Sequence, residues 1–384
     1  MTWEKRYDQA MMSVFNTPKV VIDHGQGVKV WDVAGKEYLD LLAGVAVNAL
    51  GHNHPAVVKA IAGQSQKALH VSNFFATTPQ IELAEKLQDC LAAEGYVGAA
   101  ARVFLSNSGA EAVETALKVA LANKPNGRLI SLNWGFHGRT LGALSATYKP
   151  AYKEPFGMNS FLNTTFIDPT PEALSAVMGD DVCAVIAEPI QGEAGVFPVS
   201  QEFFTRARDL CDRYNAFLIV DEVQTGIGRT GRWMCHSDKV KADIITFAKG
   251  LGGGVPIGAT VGIGKAGQIL SQGMHGATFG GNPLAAAAAL TVLNEVSGLF
   301  DHVKQTGAQL VADLQAVGYE VRGNGLLIGV VVPDAPALTT QLLERGFIVN
   351  AANSKTLRLA PPLIITTDDL QPFVAAMKDF KDNS

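Results

Sequence analysis

Short apolar runs alternate with helical periods through the middle of the chain. The runs contain few polar residues, which is typical of strands that are buried on both faces of a parallel sheet. The pattern predicts strands over 102–106, 128–132, 182–187, 216–221 and 243–248, and helices over 109–122 and 201–214. Strands separated by helices predict an α/β layer, and ligands bind beyond the carboxyl ends of strands in such layers.

The two ends of the chain have a different pattern. Residues 19–45 alternate between apolar and polar positions, as antiparallel strands do. From about residue 300 the pattern predicts a helix, a strand pair over 319–332, a helix, one short strand and a final helix. We therefore predict a large domain over 47–281 and a smaller α+β domain built from 1–46 and 282–384.

Composition narrows the class of protein. Hydrophobic residues make up 47% of the 384 residues and charged residues 17%, a balance that excludes disorder. A net charge of -5 argues against binding to nucleic acid, which depends on basic surface. No apolar run reaches the roughly 18 residues of a membrane span, and the charged start does not fit a signal peptide. The four cysteines form no Cys-x-x-Cys pair, so we expect a cytoplasmic protein with reduced thiols and no metal site.

A polar segment, SNSGAE at 106–111, separates a predicted strand from a predicted helix. Ser108 and Glu111 have the spacing of a capping box. The glycine between them leaves backbone N–H groups open at the start of the helix, and such groups bind phosphate well. A plain capped helix explains this segment when it is considered alone.

Two further polar residues follow apolar strands. Asp221 closes the strand over 216–221, and Lys249 lies between the strand over 243–248 and a glycine-rich segment. Singly, the aspartate could begin a loop and the lysine could lie on the surface. Together with the anion site they form the set that pyridoxal phosphate requires: a phosphate anchor, a partner for the pyridine nitrogen and an imine-forming lysine.

Two other motifs are weaker. GIGRTG at 226–231 matches the glycine pattern of a dinucleotide site, which would indicate a dehydrogenase. That site needs a helix opening at the glycines, and the following residues show no helical period. His52 and His54 have a spacing compatible with a metal site, but the flanking glycine and proline favour a turn, and no third ligand is evident.

From about residue 18 almost to its end, the chain resembles the class III (subgroup II) aminotransferases, which have pyridoxal phosphate fold type I. The motifs that carry the resemblance are LGHNHP at 50–55, SNSGAE at 106–111, FHGRT at 136–140, EPIQGE at 188–193, DEVQTG at 221–226, AKGLGGG at 248–254, HGATFGGNP at 275–283 and LRLAPP at 357–362. The resemblance implies a large domain with a mostly parallel mixed sheet flanked by helices, and a smaller α+β domain.

The resemblance also implies roles for single residues. Lys249 would carry the cofactor and move the proton, and Asp221 would keep the pyridine nitrogen protonated. The neighbouring subunit would complete the site, so a homodimer is expected. The implied cofactor contacts are Ser108, Gly109 and Ala110 to the phosphate, Phe136 and Val223 to the two ring faces, Gln224 to the phenolic oxygen, and Thr278 to the phosphate of the partner site.

The implied substrates are N-acetylornithine and 2-oxoglutarate, with glutamate as a product, in arginine biosynthesis. Arg139 would bind the carboxylate at the far end of the donor, and Arg358 the α-carboxylate of 2-oxoglutarate or glutamate. Glu193 would pair with Arg358 when the donor lacks that second carboxylate, because a buried arginine without a partner is costly. The donor's terminal amine would then react in a ping-pong cycle.

Other donors and reactions stay open at this point. Ornithine, succinylornithine or 4-aminobutyrate could replace N-acetylornithine. Phe15 aligns with a tyrosine through which ornithine aminotransferases contact the free α-amine, and a phenyl ring offers that amine no acceptor. This favours a donor whose α-amine is masked. A pyridoxal phosphate aminomutase would share Lys249 and Asp221 but would not need the switch between Glu193 and Arg358.

Overall fold

The computed structural model describes residues 2–98, 100–157 and 161–382. The strands in this part of the chain are β1 (Ile22–Gln26), β2 (Lys29–Asp32), β3 (Glu37–Asp40), β4 (Ala101–Ser106), β5 (Arg128–Leu132), β6 (Thr164–Ile167), β7 (Val182–Ala187), β8 (Ile190–Gln191), β9 (Phe197–Pro198), β10 (Phe217–Asp221), β11 (Ile244–Phe247), β12 (Gly258–Ile263), β13 (Val321–Asn324), β14 (Leu327–Val331), β15 (Phe347–Ile348), β16 (Asn350–Asn353) and β17 (Thr356–Leu359).

The α-helices in the described ranges are α1 (Trp3–Ala10), α2 (Ala43–Ala46), α3 (Pro55–Ser65), α4 (Thr78–Ala93), α5 (Gly109–Asn123), α6 (Leu141–Ala146), α7 (Pro171–Val177), α8 (Gly192–Gly195), α9 (Gln201–Tyr214), α10 (Pro283–Val296), α11 (Phe300–Ala316), α12 (Ala335–Glu344) and α13 (Thr367–Asp382). Short 3₁₀ helices span Pro150–Tyr152, Glu154–Phe156, Lys249–Gly252 and Ala266–Gln268.

A seven-stranded sheet forms the centre of the fold, in the order β4-β12-β11-β10-β7-β5-β6. All of its strand pairs are parallel except the two made by β12, which is antiparallel to both β4 and β11. Strand β10 is buried along its whole length, because helices cover both faces of the sheet. The predicted α/β fold with a mostly parallel mixed sheet is confirmed.

Strand β12 is missing from the prediction. Its sequence, GATVGI, contains two glycines and reads as a loop, because glycine weakens strands. Gly258 nevertheless packs closely, since a Cβ at this position would lie 2.6 Å from Ser106 Oγ. Pairing with two neighbours therefore determines this strand more than its own propensity does.

Both ends of the chain contribute to one of the smaller sheets. The antiparallel strands β1, β2 and β3 are joined by β15, which pairs in parallel with β3. A second sheet has the order β13-β14-β17-β16. The prediction of one short strand before the final helix was wrong, because β15, β16 and β17 all lie there; the NAAN sequence of β16 has low strand propensity and pairs with β17.

The domain boundaries at 46/47 and 281/282 stay a prediction. Helix α10, which opens the predicted C-terminal part, packs against α3 and α4 of the predicted large domain. Among the described residues, no single helix has the length and apolar character to cross a membrane; α10 and α11 pass that test only as a pair, and they are bent by 69° at their junction.

Parallel pairing determines where the polar strand ends meet. Strands β10 and β11 are parallel, and because β12 is antiparallel to both β4 and β11, β4 runs in their direction too. The carboxyl ends of these strands therefore lie at one edge of the sheet, and Ser106, Asp221 and Lys249 are found there. Ligands are expected at this edge in folds of this kind.

Candidate active site

A cavity of about 470 Å³ opens at this edge of the sheet, a volume suited to a small-molecule ligand. Most of the predicted site residues line the cavity, and Thr278, Glu193 and Arg358 do not. The predicted residues in the wall are Ser108, Gly109, Ala110, Phe136, Arg139, Asp221, Val223, Gln224 and Lys249.

Helix α5 points its N-terminus into this cavity. Ser108 caps the helix and accepts a hydrogen bond from Glu111 N–H at 3.2 Å. The Glu111 carboxylate turns back and accepts from Asn107 N–H at 2.7 Å. The cap leaves the backbone N–H groups of Gly109 and Ala110 free to bind an anion, which the helix dipole also favours.

Gly109 is required by close packing beneath the cavity. A Cβ atom at this position would lie 2.8 Å from Val223 Cγ1 and 3.5 Å from Ala248 Cβ. Contacts under 3.0 Å are too close for real Cβ atoms, so a larger residue would push Val223 or the N-terminus of α5 away. The glycine therefore holds the anion site close to the strand that ends in Asp221.

The Asp221 carboxylate is buried and accepts hydrogen bonds at both of its oxygens. His137 Nδ1 donates to Asp221 Oδ2 at 2.7 Å, while Thr246 Oγ1 and Val223 N–H donate to Oδ1 at 3.0 Å each. Burial alone would lower the pKa of His137, but the hydrogen bond and charge of Asp221, together with Glu188, raise it above its ordinary value. The hydrogen bond from His137 therefore orients the Asp221 carboxylate, and the charge of that carboxylate favours the protonated imidazole.

Glu188 is a second buried carboxylate in the cavity wall. Its Oε1 accepts from Phe136 N–H at 2.9 Å. Burial raises the pKa of Glu188 to about 7, helped by the charge of Asp221 and opposed by His137, Lys249 and the hydrogen bond from Phe136. A carboxyl group that titrates near neutral pH is suited to proton exchange.

Lys249 begins a 3₁₀ helix directly after strand β11. Its φ of 46° lies in the left-handed region, which is unusual for a residue with a side chain and is found preferentially at functional sites. Burial lowers the pKa of the Lys249 amine; Arg358 acts in the same direction, and the charges of Glu193, Asp221 and Glu188 oppose them. A lowered pKa increases the share of neutral amine, the nucleophilic form.

Arg358, which is buried, and Glu193, which is partly exposed, form an ion pair next to Gln224. Arg358 Nη1 donates to Glu193 Oε1 at 2.5 Å and to Gln224 Oε1 at 3.1 Å, and Nη2 donates to Asn350 at 2.9 Å. Burial would raise the pKa of Glu193, but the charge and hydrogen bond of Arg358 lower it below its ordinary value. Gln224 connects this pair to the cavity that it lines.

Arg139 lies exposed at the cavity mouth and is held by aromatic rings. Its guanidinium carbon is 3.3 Å from the ring centroid of Tyr152 and 5.8 Å from that of Phe136. It makes no ion pair with any carboxylate of the described chain. The stacking restrains the arginine while its N–H donors stay available for a substrate carboxylate.

Thr278 and Phe15 lie away from this cavity. Thr278 is exposed and lines a separate depression with His70, Asn73 and Phe75. Phe15 is 76% exposed. The predicted roles of both residues stay predictions.

Sequence reasoning did not assign roles to His137, Glu188 or Tyr152. His137 and Glu188 belong to the quoted motifs FHGRT and EPIQGE, so their position in these motifs was a usable signal. Nothing near Tyr152 in the sequence predicts its contact with Arg139, because that contact depends on how the segment after α6 folds back.

The two weaker motifs have structural explanations. GIGRTG at 226–231 forms consecutive turns, and no helix opens there, so the dinucleotide interpretation lacks its essential element. His52 Nε2 donates to Asp40 Oδ2 at 2.8 Å. Within 2–98, 100–157 and 161–382, no group of three or more His, Cys, Asp or Glu residues is arranged to hold a metal ion.

The cavity fits pyridoxal 5′-phosphate. Free N–H groups at the start of α5 suit its phosphate, and the glycine beneath them leaves the room that a Cβ would fill. The Asp221 carboxyl group and a desolvated lysine, Lys249, share the same cavity. These are the groups that a pyridine nitrogen and an aldehyde require.

Comparisons with known proteins agree with this chemistry. The family model described as aminotransferase class-III matches residues 11–380. Acetylornithine aminotransferase from Bifidobacterium longum is 44% identical, over 98% of this chain and 95% of the relative. The enzyme of the same name from Mycobacterium tuberculosis is 42% identical, over 100% of this chain and 97% of the relative.

Solved structures give the same result. Ornithine aminotransferase from Toxoplasma gondii superposes with a TM-score of 0.90 at 33% identity, over 99% of this chain and 94% of that one. N-acetylornithine aminotransferase from Stenotrophomonas maltophilia has a TM-score of 0.82 at 33% identity, over 98% and 97% of the two chains. The protein belongs to the class III aminotransferases, and the family prediction is confirmed.

Replacing Gly109 tests the packing beneath the anion site. Gly109→Ala should weaken retention of pyridoxal 5′-phosphate by about ten- to a hundredfold, because overpacking costs about 1–3 kcal/mol and displaces the phosphate-binding N–H groups. Equilibrium titration of the apoenzyme with the cofactor measures the change. Gly63→Ala is the matched control, since a Cβ at that position meets nothing within 4 Å. Equal cofactor affinities in the two variants would contradict the packing argument.

Proposed function

We propose that this protein transfers the δ-amino group of N-acetylornithine to 2-oxoglutarate, with pyridoxal 5′-phosphate as cofactor, in arginine biosynthesis. The observation that carries the reaction class is the single cavity shared by Lys249, Asp221 and the N-terminus of α5. The choice of donor is supported by curated relatives named acetylornithine aminotransferase, which are 41–44% identical over almost the whole chain.

The residues of the cavity have different roles in amino transfer. The bound cofactor would supply an aldehyde for the donor amine and a cationic ring that withdraws electrons from the reacting carbon. Asp221, held by His137, would face the ring nitrogen and favour its protonated form. Lys249 Nζ moves the proton, and its lowered pKa increases the share of neutral amine that can accept it.

One site must accept two substrates in turn. Arg139 at the cavity mouth binds the distal carboxylate of either substrate. Arg358 binds the α-carboxylate of 2-oxoglutarate, and it pairs with Glu193 while N-acetylornithine is bound. This exchange of partners keeps Arg358 neutralised in both half-reactions, because an unpaired buried guanidinium would cost several kcal/mol.

Lys249 tests the reaction class. Lys249→Ala should reduce turnover by about 10²–10⁴-fold or more, because the group that moves the proton is gone. Borohydride reduction of the unmodified holoenzyme, followed by peptide mass spectrometry, should place the cofactor on Lys249. Lys265→Ala is the control, since this lysine is exposed and donates a hydrogen bond to Asn215 Oδ1 outside the cavity. Normal turnover in Lys249→Ala, or cofactor attached elsewhere, would refute the assignment.

Glu193 tests the substrate switch and the donor together. Glu193→Ala should lower kcat/KM of the N-acetylornithine half-reaction about tenfold or more, and that of the 2-oxoglutarate half-reaction much less. Single-turnover absorbance measurements separate the two. Glu202→Ala, at an exposed position on α9, is the control. Equal losses in both half-reactions would argue against the switch, and higher kcat/KM with ornithine, succinylornithine or 4-aminobutyrate would change the donor.

We also propose that the active unit is a homodimer in which Thr278 reaches the cofactor phosphate of the partner site. The surface around Thr278 supports this, because it exposes large apolar side chains that a second copy would bury. Phe74, Phe75 and Phe279 are 91%, 69% and 60% exposed. Asn73 donates to the carbonyl oxygens of Ala277 and Gly280 and so joins the two segments into one surface.

Mixed dimers test the placement of Thr278. Thr278→Ala should weaken cofactor binding about tenfold, because a hydrogen bond to a charged group is lost. A mixed dimer of this variant with Lys249→Ala should regain tight binding at the site that keeps Lys249, since the other subunit supplies an intact Thr278. Titration of purified mixed dimers measures this. Affinity as weak as in the Thr278→Ala homodimer would place Thr278 in its own subunit's site.

A further inference from the structure

The glycine-rich segment 225–231, which the dinucleotide interpretation leaves unexplained, lies against the C-terminal part of the chain. A Cβ at Gly228 would lie 3.1 Å from Leu363 Cδ1, and one at Gly231 would lie 2.5 Å from Lys304 Cγ. Both glycines also have positive φ angles, of 83° and 77°. Close packing against α11 and the chain that follows β17 therefore accounts for these glycines.

Arg229, in the middle of this segment, is buried without a carboxylate partner. Its side chain Nη1 donates to the carbonyl oxygens of Leu326 at 3.0 Å and Pro361 at 2.5 Å, and its own carbonyl accepts from Leu326 N–H at 3.0 Å. Nη2 has no partner among the described residues. Burial lowers the pKa of Arg229 to about 9, so the guanidinium remains charged at neutral pH. Burying a charge without an ionic partner costs free energy, so we expect the Arg229 side chain to have a specific structural or functional role.

The two carbonyl groups that Arg229 binds flank the strand pair that carries Arg358. Leu326 directly precedes β14, and Pro361 lies two residues beyond the end of β17. These strands pair with Gly329 opposite Arg358. Arg229 therefore binds the start of β14 and the residues that follow β17 through one side-chain nitrogen.

The residue just before this segment touches the Arg358 side chain. Gln224, five residues before Arg229, accepts from Arg358 Nη1 at 3.1 Å. The polypeptide after β10 thus contacts the strand of Arg358 twice: Gln224 contacts the guanidinium, and Arg229 contacts the backbone three residues further on. Two contacts of this kind determine both where the strand lies and where the arginine points.

We propose that Arg229 is a positioning residue for Arg358, holding the β14–β17 pair so that the Arg358 guanidinium meets the α-carboxylate of the amino acceptor. The inference rests on the proposed function, in which Arg358 binds that carboxylate. The position of Arg358 matters most for 2-oxoglutarate, because the α-carboxylate of this substrate binds directly to the Arg358 guanidinium. It matters less for N-acetylornithine, because Glu193 lies on the same chain and stays paired with Arg358.

Kinetics of the two half-reactions of the holoenzyme test the proposal. Arg229→Gln should raise KM for 2-oxoglutarate about tenfold while KM for N-acetylornithine changes less than about twofold. Arg229→Lys keeps the charge and one donor toward the carbonyl groups, so its KM for 2-oxoglutarate should lie between those of the unmodified enzyme and Arg229→Gln. This variant also tests the proposal if Arg229→Gln does not fold. Arg208→Gln is the control, because it removes another largely buried arginine, paired with Asp212 and Asp243 far from Arg358 along the chain.

The outcomes separate this inference from the proposed function. Arg358→Gln is the reference variant and should show the same selective rise in KM for 2-oxoglutarate, only larger. One combination of results would overturn the positioning role alone. Arg358→Gln would raise KM for 2-oxoglutarate selectively, while Arg229→Gln and Arg229→Lys would change KM equally for both substrates, as in the Arg208 control. No selective loss in Arg358→Gln would overturn the role of Arg358 in the proposed function, whatever the Arg229 variants show.

Discussion

Parallel pairing of β10 with β11 is the constraint on which the site depends. It brings the residues that follow these strands to one edge of the sheet, so Asp221 and Lys249 share a cavity although they are distant in sequence. Strand β4 runs in the same direction, and helix α5 therefore begins at that edge as well. A shift of the β10–β11 register by one residue would turn the Asp221 side chain toward the opposite face of the sheet, because side chains alternate between the two faces along a strand.

The site holds several charges away from water, and they compensate one another. His137 faces Asp221, and Arg358 faces Glu193, each pair within hydrogen-bonding distance. Charges from both pairs act on Lys249: burial and Arg358 lower the pKa of its amine, and Glu193 and Asp221 oppose them. Under the proposed function, a substrate carboxylate at Arg358 would replace Glu193 as the anionic partner of the guanidinium.

Much of the fold could be predicted because its central strands are uniformly apolar. Strands β5 and β7 and helix α9 have the predicted bounds. Strand β12 and strand β16 were not predicted, since glycine, alanine and asparagine have little strand propensity and pairing alone holds them in place. The motifs likewise indicated most residues of the cavity, but the contacts of His137 and Glu188 join segments that are far apart in sequence, and that of Tyr152 depends on how the chain after α6 folds back.

The sequence by itself determined the layered α/β fold, the capped start of α5 and the family, because each of these has a local pattern of apolar, glycine and polar residues. Only the tertiary structure decided which partners the buried charges have. Segment 226–231 shows this difference best. Its glycines match a nucleotide-binding motif in sequence. In the folded protein they let Arg229 reach the carbonyl groups on either side of the Arg358 strand pair. A motif records which residues are present, whereas hydrogen bonding across the fold determines what they contact.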